Sequence, residues 1–350
     1  MEFLKWLQEL RNPFMDSVFG AITHLGEETI FIVLGILFFW CISKREGYFL
    51  LATGLVGTVL NQFLKLLCRI PRPWVLDETF EIVESARAEA TGYSFPSGHT
   101  QMAGGLFGGI ARWHTGWVRV VGIVLALLVA FSRLYLGVHT PLDVGVGLLM
   151  AAVLVFALYP LMHKVTAHDR LMRILLWVMV LIAAANLAFV SLYAFPADVD
   201  AENLAHGLKQ AYTTLGCLTG LLVAFEVERR FIRFETKAVW WVQILKAVLG
   251  LALLMAIKEG LKDCEVLGCG QCHIRYEESL NRWILGRIDE RHDTIQSTSV
   301  LEDLLEVQEV IVGKTHTTQD NLVGLSTQSH ICHHGVVWLI GIGEEWDLLT

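Results

Sequence analysis

The chain has 350 residues, of which 54% are hydrophobic and 18% charged, and its mean hydropathy of +0.52 excludes an ordinary water-soluble domain. Apolar runs long enough to cross a bilayer core of about 30 Å recur along it, so the expected fold class is all-α, a multi-pass transmembrane helical bundle. The net charge of −8 is concentrated in one place: residues 262–350 hold 6 Lys+Arg and 15 Asp+Glu, whereas residues 1–261 hold 21 and 20, and neither part is basic enough to point to nucleic acid.

No charged opening followed by a small-residue cleavage site is present, so no removable signal peptide is expected. Residues 1–28 interleave Phe3, Leu4, Leu7, Leu10, Phe14 and Val18 with Glu2, Lys5, Arg11 and Asp16, a pattern that suits an amphipathic segment lying in the membrane interface. The first span begins at Thr29 and the second covers Gly47–Leu67. A polar stretch from Cys68 to Phe95 follows, with a charged, helical-looking part between Asp77 and Glu89. The third span opens at Pro96 and runs to about Trp113, rich in Gly and Ala that allow close helix packing. Trp117–Leu136, Thr140–Met162, Leu171–Phe195, Gly207–Phe225 and Ala238–Ile257 read as the fourth to eighth spans.

Lysines and arginines fall in alternate connections (44–45, 112–119, 164–173 and 229–237), and the connections between them are acidic. By the positive-inside rule the basic connections are cytoplasmic, which puts the polar stretches at 68–95 and 137–140 together on the other face. Residues 262–350 contain no further span and read as a polar acidic tail, either a small separate domain or an extension. Cys264, Cys269, Cys272, His273, His330, Cys332, His333 and His334 in that tail offer one Cys-x2-Cys pair and an irregularly spaced second half, so they read first as unliganded residues, ahead of a zinc site, with disulfides as a further reading. Cys41, Cys68 and Cys217 read as small core hydrophobes.

Polar groups at membrane depth are costly, and their presence marks a functional site. Three such clusters share the non-cytoplasmic side. They are Lys65-x6-Arg72-Pro73, Pro96-Ser97-Gly98-His99, and Ser132-Arg133-x5-His139-x3-Asp143. Lys65, Arg72 and Arg133 can surround a phosphoryl group, with the arginine fork pairing two oxygens at once. Ser97 and Gly98 open a helix, where free amides and the positive end of the dipole favour an anion. Asp143 has two readings. Thr140-Pro141-Leu142-Asp143 has the form of a capped helix start, and Asp143 is also placed to fix the His139 tautomer so that Nε2 can attack. The two roles can coexist. Arg112 and His114 read as interface anchors, His24 beside Glu27 and Glu28 as an ordinary interfacial residue, and Trp240 and Trp241 as part of an aromatic belt.

These three clusters resemble the three-part signature of the type 2 phosphatidic acid phosphatase (PAP2) superfamily, over roughly residues 25–195. The resemblance implies a six-helix catalytic core at 29–195, leaving about two further helices at 196–261. It also implies His139 as nucleophile forming a phosphohistidine, Asp143 orienting it, and His99 protonating the leaving oxygen and then activating water. Lys65, Arg72, Ser97, Gly98 and Arg133 would bind the phosphate, and neither metal nor cofactor is implied. The expected function is that of an integral membrane phosphatase acting on a lipid-linked phosphate or diphosphate in the bilayer. The alternatives are a lipid phosphotransferase using the same intermediate and a transporter or flippase with no hydrolysis. Residues 262–350 fall outside the resemblance.

Overall fold

The computed structural model describes residues 1–165, 168–196 and 199–256, and every long element among them is a helix. The tail cysteines and histidines lie outside these residues. The first helices are short: α1 (Glu2–Glu9), α2 (Pro13–Thr23) and α3 (Glu28–Leu37). The bundle proper consists of α4 (Lys44–Cys68), the short α5 (Pro73–Leu76), α6 (Gly98–Trp113), α7 (Trp117–Tyr135), α8 (Pro141–Val165), α9 (Asp169–Leu192), α10 (Ala201–Val227) and α11 (Trp240–Ala256).

The helix that organises the bundle is α4. Its most apolar window is 78% buried within the protein, against 33%, 22% and 28% for α7, α8 and α9. A helix buried nearly all round needs apolar residues on every face, and α4 supplies them from Phe49 to Val59. It packs against α3, α6, α8, α9 and α10. The outer helices turn large apolar side chains outward instead, among them Ile123 and Leu127 of α7, Val153 and Phe156 of α8, and Trp177 and Leu181 of α9. Such continuous exposed apolar surface is what lipid contact requires. The chain is a multi-pass membrane protein.

All eight expected spans are helical, but they are not equivalent. Among the described residues, α4, α7, α8 and α9 are each long and apolar enough to cross a membrane, and a fifth span exists if α2 and α3, bent by 53° at His24–Gly26, count as one. At 16 residues α6 is too short to cross unaided. Its Gly-rich sequence is used for close packing between α4, α7 and α8. The seventh run starts earlier than its apolar residues imply, because Asp200 caps α10 by accepting from the Asn203 amide at 2.8 Å.

The amphipathic opening is two helices. Asn12 accepts from the Met15 amide at 3.1 Å, and Pro13 begins α2. Leu4 and Leu7 of α1 are buried against Phe80, beside Ile82 and Leu134. The anticipated helical stretch at 77–89 contains only isolated turns, the one helical piece being the single 3-10 turn Glu84–Ala86. Its backbone groups bond elsewhere: the Val83 amide donates to the Leu136 carbonyl at 3.1 Å, and Arg11 donates to the carbonyls of Glu81 and Tyr135. These tertiary partners replace the local helix, because buried backbone groups must pair with something.

Two glycines fix how the chain enters and leaves the site. Gly137 ends α7 with φ of +81°, a conformation open to glycine, and a Cβ there would lie 3.0 Å from the Phe80 ring. Gly147 lets α8 lie against the start of α6; a Cβ there would be 2.8 Å from the Ser97 carbonyl oxygen. At the opposite end of the bundle, charges pair across helices: Arg173 with Glu226, Lys44 with Glu228, and His114 with the buried Glu46, while Arg230 adds an i,i+4 pair to Glu226. Arg112 stacks 3.7 Å from the centre of the Tyr159 ring.

Candidate active site

The ends of α4, α6, α7 and α8 that meet on one side of the bundle, with the loops that join them, carry all eight residues singled out from the sequence. Lys65 is in the last turn of α4, Arg72 caps α5, Ser97 caps α6, Gly98 and His99 begin α6, and Arg133 is in the last turn of α7. His139 lies in the turn between α7 and α8, and Asp143 in the first turn of α8. Six of the eight (Lys65, Arg72, Gly98, His99, Arg133 and His139) line one cavity of about 90 Å³. Ser97 and Asp143 are fully buried behind it.

His139 is held at both nitrogens. Nε2 lies 3.0 Å from Arg72 Nη1. A guanidinium is a donor only, so Nε2 accepts and the ring proton resides on Nδ1. Burial and then the charges of Arg72, Arg133 and Lys65 hold the His139 pKa well below its ordinary value, so the ring is neutral and Nε2 keeps its lone pair. Nδ1 faces Ser94 Oγ at 3.4 Å and Asp143 Oδ2 at 3.6 Å. Asp143 Oδ2 in turn accepts from the Thr140 amide at 2.7 Å, and Thr140 Oγ1 accepts from the Asp143 amide at 3.3 Å. The helix-cap geometry is therefore present, and the same carboxylate oxygen faces the imidazole.

The cations are arranged around the cavity with unequal commitments. Arg72 donates to the carbonyls of Thr91, Gly92 and Val138 at 2.6, 3.0 and 3.0 Å, which ties two loops together. Lys65 Nζ donates to the Tyr93 carbonyl at 2.7 Å. Arg133 is fully buried, and only its Nη1 is engaged, by Thr23 Oγ1 at 2.6 Å. Arg133 Nε and Nη2 have no hydrogen-bond partner among the described residues, and the same holds for His99 Nε2 and Asn61 Oδ1. Each buried polar group left unpaired costs about 1–3 kcal/mol. A set of them on residues that line one cavity is the mark of a site built for a polar ligand. The opening amides of α6 add donors without intrahelical acceptors. The Ser97 hydroxyl pairs with Thr100 Oγ1 at 2.9 Å, and its amide donates to the Asp143 carbonyl at 3.1 Å.

Several residues join the site without any local signal in the sequence. His206 and Gln210 of α10 line the cavity, while Thr23 of α2 accepts from Arg133 and Ser94, in the loop before α6, donates to Asp143. Glu27, read from sequence as interfacial, lines the cavity with Glu28 and Glu89. Glu89 Oε2 is 3.8 Å from His99 Nε2, and burial raises the Glu89 pKa. His24, Glu27 and Glu89 bring ligand-type atoms within 4.8 Å of one another, but His24 Nδ1 already pairs with Glu27 and lies 3.3 Å from Glu89. A neutral nucleophile, a second histidine, three cations and a helix N-terminus around a small polar cavity can grip a phosphoryl group and transfer it.

Comparison with known proteins agrees with this chemistry. The PAP2 superfamily model matches residues 45–167, and the model of the transmembrane extension of PAP2 superfamily phosphatases matches residues 212–273. Phosphatidylglycerophosphatase B of Bacillus subtilis is 30% identical over 161 residues, covering 42% of this chain and 75% of that protein. An undecaprenyl-diphosphatase of Sulfolobus acidocaldarius is 29% identical over 155 residues, 43% of this chain and 73% of that protein. A probable sphingosine-1-phosphate phosphatase of Dictyostelium discoideum is 32% identical over 165 residues, 43% of this chain but 39% of that protein. No solved structure matches the chain significantly.

Proposed function

The chain belongs to the PAP2 superfamily, and on that premise we propose that it is an integral membrane phosphatase hydrolysing a lipid-linked phosphate or diphosphate through a phosphohistidine at His139. The observation that carries this reading is the unpaired Nε–Nη2 edge of the fully buried Arg133, in the same cavity as His139 and His99. Two adjacent donors of a guanidinium match two oxygens of one phosphoryl group. An apolar ligand would leave them desolvated and unpaired.

In this reading the phosphoryl group enters between Arg133, Lys65, Arg72 and the opening amides of α6. His139 Nε2 exchanges its contact with Arg72 for the phosphorus, and Arg72 Nη1 turns to a phosphoryl oxygen. The P–O bond to the lipid breaks as the N–P bond forms, and His99 gives its proton to the leaving oxygen. His99, now neutral, takes a proton from water. The resulting hydroxide attacks phosphorus, the N–P bond breaks, and inorganic phosphate leaves. The three cations offset the charge on the equatorial oxygens, so the reaction proceeds without added metal. The cavity lies at the end of the bundle away from the basic connections, and by the positive-inside rule that end is extracytoplasmic in the cell membrane.

The named relatives act on a phosphatidylglycerophosphate, an undecaprenyl diphosphate and a sphingosine 1-phosphate, so these three chemistries, with phosphatidate, form the test set. Purified protein in detergent, with chelator present, is offered each lipid, and released phosphate is measured. The reading expects release from at least one lipid and loss of that activity in His139→Ala. Transfer of the label to an added alcohol with no free phosphate would make the protein a phosphotransferase, and equal activity in His139→Ala would remove the nucleophile assignment.

A further inference from the structure

The contact between His139 and Asp143 is indirect. Their closest approach of 3.6 Å is longer than a hydrogen bond. Ser94 stands beside both, in the loop that leads into α6 and outside the three motifs. It is fully buried, and its amide donates to the Ile70 carbonyl at 2.8 Å, so the residue is fixed in place. Its hydroxyl donates to Asp143 Oδ2 at 2.6 Å. That direction follows because an ionised carboxylate only accepts. The same oxygen lies 3.4 Å from His139 Nδ1 and has lone pairs left to accept from the ring.

We propose that Ser94 is the positioning residue that links His139 to Asp143, so that the carboxylate aims and stabilises the nucleophile through a hydroxyl. The proposal rests on the phosphohistidine reading above. As His139 Nε2 forms its bond to phosphorus and the P–O bond to the lipid breaks, the ring becomes an N-phosphoryl imidazolium. Its proton stays on Nδ1, facing the Ser94 oxygen, while the Ser94 proton stays directed at Asp143. No proton needs to move along the chain. Positive charge developing on the ring strengthens both bonds in the transition state, where such strengthening raises kcat.

Three variants test this: Ser94→Ala, which removes the hydroxyl but keeps the amide bond to the Ile70 carbonyl; Ser94→Cys, nearly the same shape with a weaker donor; and Ser94→Thr, which restores the hydroxyl. On the best lipid substrate, Ser94→Ala is expected to lower kcat about tenfold to a hundredfold with KM within about twofold of the parent. Single-turnover formation of the phosphoenzyme should slow by the same factor. Ser94→Cys should fall between Ala and the parent, and Ser94→Thr should recover most of the rate. Parental kcat and phosphoenzyme rate in either Ser94→Ala or Ser94→Cys would overturn the proposal, and one folded variant of the two suffices to decide. Loss of activity through KM or melting temperature alone would also overturn it. His139→Ala separates the two levels: if it is inactive while the Ser94 variants match the parent, only the role of Ser94 fails, and if it is active, the phosphohistidine reading fails with it.

Discussion

Arg133→Lys keeps the charge at the centre of the site and removes only the geometry. Arg133 Nη1 is committed to Thr23 at 2.6 Å, which leaves Nε and Nη2 as an unpaired two-pronged edge on a residue that lines the cavity. A lysine at this position has a single nitrogen, and its ammonium cannot meet Thr23 and two phosphoryl oxygens together. One charged hydrogen bond is lost beyond what the ammonium recovers, about 1.5–3 kcal/mol, which is about a 10- to 150-fold loss in kcat/KM. The assay is phosphate release in detergent over a range of lipid concentrations, with circular dichroism to show that the helices persist. If Arg133→Lys stays within about twofold of the parent, the forked recognition of phosphate at this residue is wrong, and Arg133 serves only as a buried charge.

Asp143→Asn should retain the helix start, since an asparagine Oδ1 can still accept from the Thr140 amide, and so cost less than about 1 kcal/mol of stability; it should lower kcat by about 10²–10⁴-fold, because the ring loses its negative partner. A thermal melt beside the kinetics separates the two effects, and a large melting loss with near-parental kcat would make the cap the main role. Gly147→Val should displace the start of α6, because the first added carbon already lies 2.8 Å from the Ser97 carbonyl; about 1–3 kcal/mol of destabilisation is expected, with lost activity, and parental behaviour in both would contradict the packing described. A neutral, depressed His139 stays unprotonated below the ordinary histidine value of about 6.5. The acid limb of kcat/KM should therefore fall below about pH 6.5, and a limb at or above that value would contradict a cation-surrounded nucleophile.

Much of the molecule was legible in its sequence because two kinds of constraint act locally. Lipid demands long apolar runs, so α4, α7, α8 and α9 stand out by length and hydropathy alone. Backbone at a helix start demands a partner, so Thr140-Pro141 and Asp143 announce the start of α8. The three motifs gave Lys65, Arg72, His99, Arg133, His139 and Asp143 because their spacing brings helix ends to one face. What escaped depends on contacts between distant parts of the chain. Residues 77–89 have helix-like composition, but Arg11 and Leu136 claim their backbone. Thr23 reaches Arg133 from a helix 110 residues before it, and His206 reaches the cavity from a helix 67 residues after His139. Glu27 resembles any interfacial carboxylate until the bend between α2 and α3 turns it inward. Ser94 carries no motif of its own, and only the 3.6 Å gap between His139 and Asp143 shows what it does.

The central claim, a covalent bond between His139 and phosphorus, is tested most directly by trapping it. Phosphorus-radiolabelled lipid is mixed with the protein, quenched in alkaline detergent, and the label on the chain is mapped by peptide. A P–N bond at His139 predicts label that survives alkali, is lost in acid and is absent from His139→Ala. Label that persists in His139→Ala, or turnover of the lipid with no label on the wild-type chain under any quench time, would contradict the account.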